Sequence, residues 1–187
     1  MSLTTDRKTI VRQRLAPSIL PYHRISDDTM KAFNISLFRR DEDTILWIIP
    51  IHNERGENVG LIKRDTNTFR DNYEGSINRH KVVFNLNRVL SDVNNTREIT
   101  ITEDLYDCIG LWQAGEHHIV SLLGSKLSNS QFHLIFKFLS PSRIRFILSP
   151  NCFDLESRLE TISKFASKAY IRIVTSFRRN NTRLLRG

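Results

Sequence analysis

The second half of the chain alternates strand and helix, and that alternation leaves few folds open. Residues 99–102, 118–122, 143–148 and 170–174 are short apolar runs of strand length, several of them rich in Ile and Val. Between them lie three helical stretches. Residues 104–114 are closed by Gly115, residues 128–139 open on the capping-box pair Ser128 and Gln131, and residues 155–169 put Leu155, Leu159, Ile162 and Ala166 on one face. Strands separated by helices pair as a parallel sheet with the helices packed on it. The expectation is therefore an α/β fold. In open parallel sheets, ligands bind outside the carboxyl ends of the strands. Those ends are Glu103, residues 123–125, residues 149–151 and residues 175–176.

The first half reads differently. Residues 22–35 hold a short helix, with Ser26 as N-cap and Asp27 and Asp28 in the first turn, where the helix dipole favours acids. Met30 and Phe33 are placed to pack. Residues 45–51 and 58–63 form an antiparallel hairpin across a polar turn that contains Gly56. Residues 65–80 are polar and aperiodic and read as a long loop. Residues 1–18 are basic, with a weak helical pattern at Ile10, Val11 and Leu15, and read as an arm or a docking helix. The chain divides into residues 1–92, a small helix-and-hairpin subdomain, and residues 93–187, the parallel-sheet domain with a basic tail.

Charge narrows the partners. Lys and Arg number 28 against 20 Asp and Glu, a net charge of +8. From Arg158 to Arg186 there are eight basic residues and one acid, Glu160. This favours a polyanion such as nucleic acid as partner. No apolar run reaches the ~18 residues a membrane span needs, and residues 1–20 carry Arg7, Lys8, Arg12 and Arg14 with no apolar core. The expected setting is cytoplasmic, without membrane partners. Two cysteines, Cys108 and Cys152, are too few for a zinc ribbon or a disulfide framework, so no zinc is expected. Trp112, at helical spacing from Leu105 and Ile109, reads as packing, and His117 and His118 carry no metal-ligand spacing.

Two segments carry chemistry. Glu103 ends a strand and Asp107 follows one helical turn later, so both carboxylates can face one crevice of the kind that holds Mg²⁺ or Mn²⁺. Acids at a helix start are equally what the dipole stabilises whatever the function. Gly124, Ser125 and Lys126 follow a strand and precede a helix, where glycine and open amides can approach phosphate; an ordinary β–α turn has the same composition.

The run Ile101-Thr102-Glu103-Asp104-Leu105-Tyr106-Asp107, then Leu122-Leu123-Gly124-Ser125-Lys126, resembles the Toprim domain of bacterial and phage DNA primases. Residues 24–35 resemble the short helix of the primase core, residues 49–53 and 56–64 its hairpin, and residues 85–89 the segment ahead of the Toprim strand. The resemblance covers residues 20–175 in the family's order. It implies a Toprim-like parallel sheet with flanking helices, a divalent metal held by Glu103, and phosphoryl transfer that makes RNA primers on single-stranded DNA. It implies DNA replication as the setting, a phage or other mobile element in a bacterial host as the source, and a replicative helicase or another primase subunit as partner. Lys63 and Arg64 fall where the family carries basic residues near its template path. With Arg143, Arg145, Arg172, Arg178 and Arg179 they make up the expected nucleic-acid-binding set.

The sequence departs from the family at one place. The glycine of the first motif is Asp104, and the family's Asp-x-Asp falls on Ser149-Pro150-Asn151. Two anionic ligands are thereby replaced by neutral oxygens, whereas Mg²⁺ sheds water reluctantly and wants carboxylates. Asp104 or Asp154 can compensate, although Asp154 also reads as a helix-start acid. The expectation is a primase-like core with a degenerate metal centre and weak or no catalysis, a pseudoenzyme that binds nucleic acid. The alternatives are an active primase or nuclease with a rebuilt site, and a replication scaffold without DNA affinity. The family's zinc ribbon and helicase-binding region have no counterpart in these residues.

Overall fold

A computed structural model describes residues 11–14, 25–92, 97–124, 126–148, 155–163, 166 and 168–175. The chain runs through β1 (Val11–Arg14), α1 (Asp27–Ala32), β2 (Ser36–Arg39), β3 (Ile45–His52), β4 (Asn58–Asp65), β5 (Asp71–Gly75) and α2 (Leu86–Ser91). It continues through β6 (Glu98–Thr102), α3 (Leu105–Gln113), β7 (Ile119–Ser121), α4 (Asn129–Leu139), β8 (Arg143–Leu148), α5 (Leu155–Ser163) and β9 (Tyr170–Thr175). Two sheets result: a parallel one in the order β1-β9-β8-β6-β7 and an antiparallel one in the order β2-β3-β4-β5. The α/β architecture, with helices flanking a parallel sheet after an N-terminal helix and hairpin, is the one expected from the sequence.

Alternation along each parallel strand sorts its side chains onto two faces. Ile99, Ile101, Val120, Ile144, Phe146, Ile171 and Ile173 pack with Leu86 and Val89 of α2, Phe132 and Ile135 of α4 and Ile162 of α5. The other face is met by α3. Leu105, Cys108 and Ile109 pack between Ile119 of β7 and a second core of Phe33, Ile35, Ile49, Ile51 and Ile62 from α1 and the antiparallel sheet. Each fully buried Ile or Phe is worth about 1.5–3 kcal/mol against exposure, so α3 is the shared wall that fixes one sheet against the other.

The strand order creates a crevice. From β6 the chain passes through α3 on one face, whereas from β8 it passes into α5 on the opposite face. Because β6 and β8 are neighbours, the helices that follow them diverge and leave a gap outside their carboxyl ends, the switch-point arrangement that binds ligands in open α/β sheets.

Three expectations need correction. Residues 11–14 of the presumed arm form neither arm nor helix: they pair in parallel with β9, with Val11 opposite Arg172. The presumed loop at 65–80 contains β5, and residues 36–39 form β2, so the hairpin is the centre of a four-stranded sheet. β5 is polar, and Lys63 of β4 meets Glu74 diagonally across the pair at 2.7 Å. Its register brings Gly60 opposite Gly75 at positive φ, where a β-carbon on Gly60 would lie 2.3 Å from the Glu74 carbonyl oxygen. The helices are also shorter than the periodicity suggests: α1 spans Asp27–Ala32 and α5 spans Leu155–Ser163.

Caps fall where the side chains predict them. Ser128 and Gln131 close the capping box of α4. Ser26 Oγ accepts from the Thr29 amide at 3.2 Å, while the Ser26 amide donates to Gln113 Oε1 at 2.7 Å and ties α1 to the end of α3. Replacing Ser26 by Ala is expected to cost about 1 kcal/mol, read as a lower urea midpoint at unchanged m-value. A change below a few tenths would mean that the cap contributes nothing.

Candidate functional site

Glu103 follows β6 at the mouth of the crevice and is only 8% exposed. Its backbone is pinned from the end of β7 and the turn after it: the Glu103 carbonyl accepts from the Gly124 amide at 2.6 Å and from Ser121 Oγ at 3.4 Å. Its carboxylate is ion-paired with Arg158 of α5. Glu103, Arg158 and Lys126 line a small cleft whose other walls are Leu122, Leu127, Phe146, Leu148, Thr161 and Ile162. The Nε of Arg158 is buried without a hydrogen-bond partner among the described residues.

The remaining acids sit at the start of α3. Asp104 is its N-cap, accepting from the Tyr106 amide at 2.7 Å and the Asp107 amide at 3.3 Å. Its carboxylate therefore serves the helix terminus, the structural role that the sequence also allowed. Burial raises the Asp104 carboxyl, against the two amides that lower it. Asp107 is pushed up to about 7, chiefly by burial and then by the charges of Asp104 and Glu103. Beside them Tyr106 donates its hydroxyl to Asp71 at 2.7 Å. Arg64 lies over the Tyr106 ring, 3.8 Å from its centroid, and pairs with Asp71 at 3.2 Å. These contacts join β4 and β5 to the mouth of the parallel sheet.

The expected phosphate loop is only partly suited to that role. Gly124 has φ +73° and is exposed, but its amide is already donated to Glu103. Ser125 lies outside the described residues. Lys126 is exposed and its ammonium is 3.4 Å from Ser157 Oγ of α5. Ser149, Asn151 and Asp154 also lie outside the described residues, as does Cys152. Among the described residues no group of three His, Cys, Asp or Glu is arranged to hold a metal ion. With Glu103 spent on a guanidinium and Asp104 on a helix cap, the described donor set does not fit a divalent cation.

The described members of the expected nucleic-acid-binding set lie on three strands, β4, β8 and β9. Lys63 is paired with Glu74. Arg64 is 9% exposed and engaged with Asp71 and Tyr106. Arg145, half-buried, is ion-paired with Glu116 and donates Nε to Thr100 at 3.0 Å. Arg143 is exposed but starts β8, at about 3.3 Å per residue some 17 Å from the strand's carboxyl end. Arg172 stands beside Arg145 in register, with its Nε buried. Arg178 and Arg179 lie outside the described residues. Sequence reasoning missed Arg158 at the cleft and Asp71 and Tyr106 as the partners of Arg64; only the carboxyl-end rule pointed towards the cleft that Arg158 lines. Trp112 packs edge-on against Phe33 and His117, and Cys108 is fully buried with its thiol pushed up by burial, so both are core residues.

No protein-family model matches the chain. It is 28% identical over 141 residues to a DNA primase of Synechococcus elongatus, an alignment covering 70% of this chain and 20% of that protein. Among solved structures it resembles a DnaG primase catalytic domain bound to single-stranded DNA (TM-score 0.64, 13% identity, 82% of this chain and 63% of that one). It also resembles the Escherichia coli primase catalytic core (TM-score 0.63, 13% identity, 80% and 61%). The chain thus spans about a fifth of its curated relative and less than two thirds of these solved chains. Among the described residues no helix is long and apolar enough to cross a membrane. With β6 and α3 carrying Glu103 and Asp107 and β7 leading into Gly124, the chain shares the fold of these primase catalytic cores, a helix-flanked parallel sheet joined through α3 to an antiparallel sheet.

Proposed function

We propose that this chain binds single-stranded nucleic acid in DNA replication through phosphate contacts, and that its metal centre is too depleted to support primer synthesis. The observation that carries the second part is the Glu103–Arg158 ion pair in the switch-point crevice. Support for the first part is the net charge of +8 and the likeness to a primase domain bound to single-stranded DNA. In this reading residues 1–92 and 93–187 are the two halves of a primase core. Lys126 and Arg143 are exposed cations that meet phosphates at separate points, and Arg178 and Arg179 add positive charge to the chain. Phosphate contacts give affinity without reading sequence.

The test is fluorescence anisotropy on a labelled single-stranded oligonucleotide across a salt series. Four phosphate contacts would give a log–log slope of about −3, at roughly −0.7 per contact. Lys126→Glu and Arg143→Glu should each weaken binding several-fold and flatten the slope. No primer should form when template and ribonucleoside triphosphates are supplied with Mg²⁺ or Mn²⁺. Salt-insensitive binding, or none at low salt, would overturn the nucleic-acid part. Primers lost on Glu103→Gln would overturn the catalytic part.

A further inference from the structure

We propose that Arg158 is a built-in replacement for the divalent cation at Glu103, a fixed guanidinium that occupies the crevice and keeps metal out. This rests on the reading of the chain as a primase-like core and goes beyond it by naming the group that took the metal's place.

Three observations carry it. First, the pair is enclosed: the side chains of Glu103 and Arg158 are 10% and 23% exposed. The apolar walls of the cleft, Leu122, Leu127, Phe146, Leu148 and Ile162, keep the local dielectric low. A charge pair there is weakly screened, and separating it strands a charge away from water. Second, both partners are held by the fold. The hydrogen bonds from Ser121 at the end of β7 and from Gly124 beyond it fix the Glu103 backbone, and Arg158 stands on α5, which is anchored through Ile162 in the main core. A metal entering at Glu103 would have to displace that guanidinium from the carboxylate. Third, the charge balance opposes a dication. Among the described residues the cleft is lined by Glu103 against Arg158 and Lys126, an excess of one positive charge. A planar guanidinium also matches a carboxylate without the dehydration that Mg²⁺ resists.

The experiment is an Mn²⁺ titration followed by electron paramagnetic resonance on the full chain. Wild type is expected to show no Mn²⁺ binding that depends on Glu103, so wild type and Glu103→Gln give the same curve at millimolar metal. Arg158→Met uncovers the carboxylate and should gain saturable binding, at least tenfold above wild type. The double variant Glu103→Gln/Arg158→Met should lose it, and Arg158→Lys should stay near wild type because the positive charge remains. Wild-type binding that disappears in Glu103→Gln overturns the proposal, and this comparison stands even if Arg158→Met does not fold. A folded Arg158→Met protein with no gain also overturns it. Loss of oligonucleotide binding in wild type would refute the nucleic-acid reading while leaving the Mn²⁺ result to decide the role of Arg158.

Discussion

Replacing Gln131 by Leu is expected to lower stability by about 2–4 kcal/mol, the cost of leaving buried polar groups unpaired. Gln131 is 0% exposed and occupies the third position of α4. Its Nε2 donates to the carbonyls of Arg79 at 2.7 Å and Val82 at 2.9 Å, and its Oε1 accepts from the Ser128 amide at 3.0 Å. One side chain thus caps α4 and ties down the segment between the antiparallel sheet and Val83, which enters the main core. Leucine fills nearly the same space and satisfies none of these groups. Arg79 is exposed and its carbonyl can turn to water, whereas Val82 is buried. The effect should appear as a lower urea midpoint with an unchanged m-value. A loss below about 1 kcal/mol would mean that the backbone finds other partners, since that is no more than one ordinary hydrogen bond.

The second large effect is a pH dependence centred on Asp107. Its carboxyl is pushed up to about 7 in the folded protein from an ordinary value of 3.8. The folded state therefore holds a proton that the unfolded chain has released between about pH 4 and pH 7. Stability from this group is fully present below the unfolded value, falls as pH rises through that window, and levels off above about 7. A shift of this size corresponds to at most about 4 kcal/mol, at 1.36 kcal/mol per pH unit. Asp104, also raised by burial, works in the same direction. Asp107→Asn carries no charge at any pH, so its advantage over wild type should grow by about 2 kcal/mol or more between pH 5 and pH 8. An advantage that does not change with pH would show that Asp107 ionises freely in the folded protein.

Legibility in the sequence followed the range of the forces involved. The capping box of α4 and the N-cap at Ser26 are local hydrogen bonds, so the residue types alone announce them. The strands β6 and β8 are legible because Ile99 and Ile101, and Ile144, Phe146 and Leu148, alternate towards one core. β1 was misread because its four residues are held by pairing with β9, close to the other end of the chain. β5 was missed because an exposed edge strand needs no apolar alternation; β4 supplies its partners. At the site, Glu103 and Asp107 stood out by position and spacing. Arg158 did not, being one arginine in a basic stretch whose pairing with Glu103 exists only once α5 has packed beside β6. Arg64 and Arg145 show the converse. Each stands in the sequence as one more cation and is engaged in the fold, Arg64 by Asp71 and Tyr106 and the half-buried Arg145 by Glu116.

The most direct test of the account is oligonucleotide affinity measured in Mg²⁺ and again in EDTA, at matched ionic strength and low salt. A chain whose contacts are made by lysine and arginine, with a guanidinium in place of the metal, should bind single-stranded DNA equally well in both. Affinity that falls tenfold or more in EDTA, and falls equally in Glu103→Gln, would contradict it and return a divalent cation to the centre of the site.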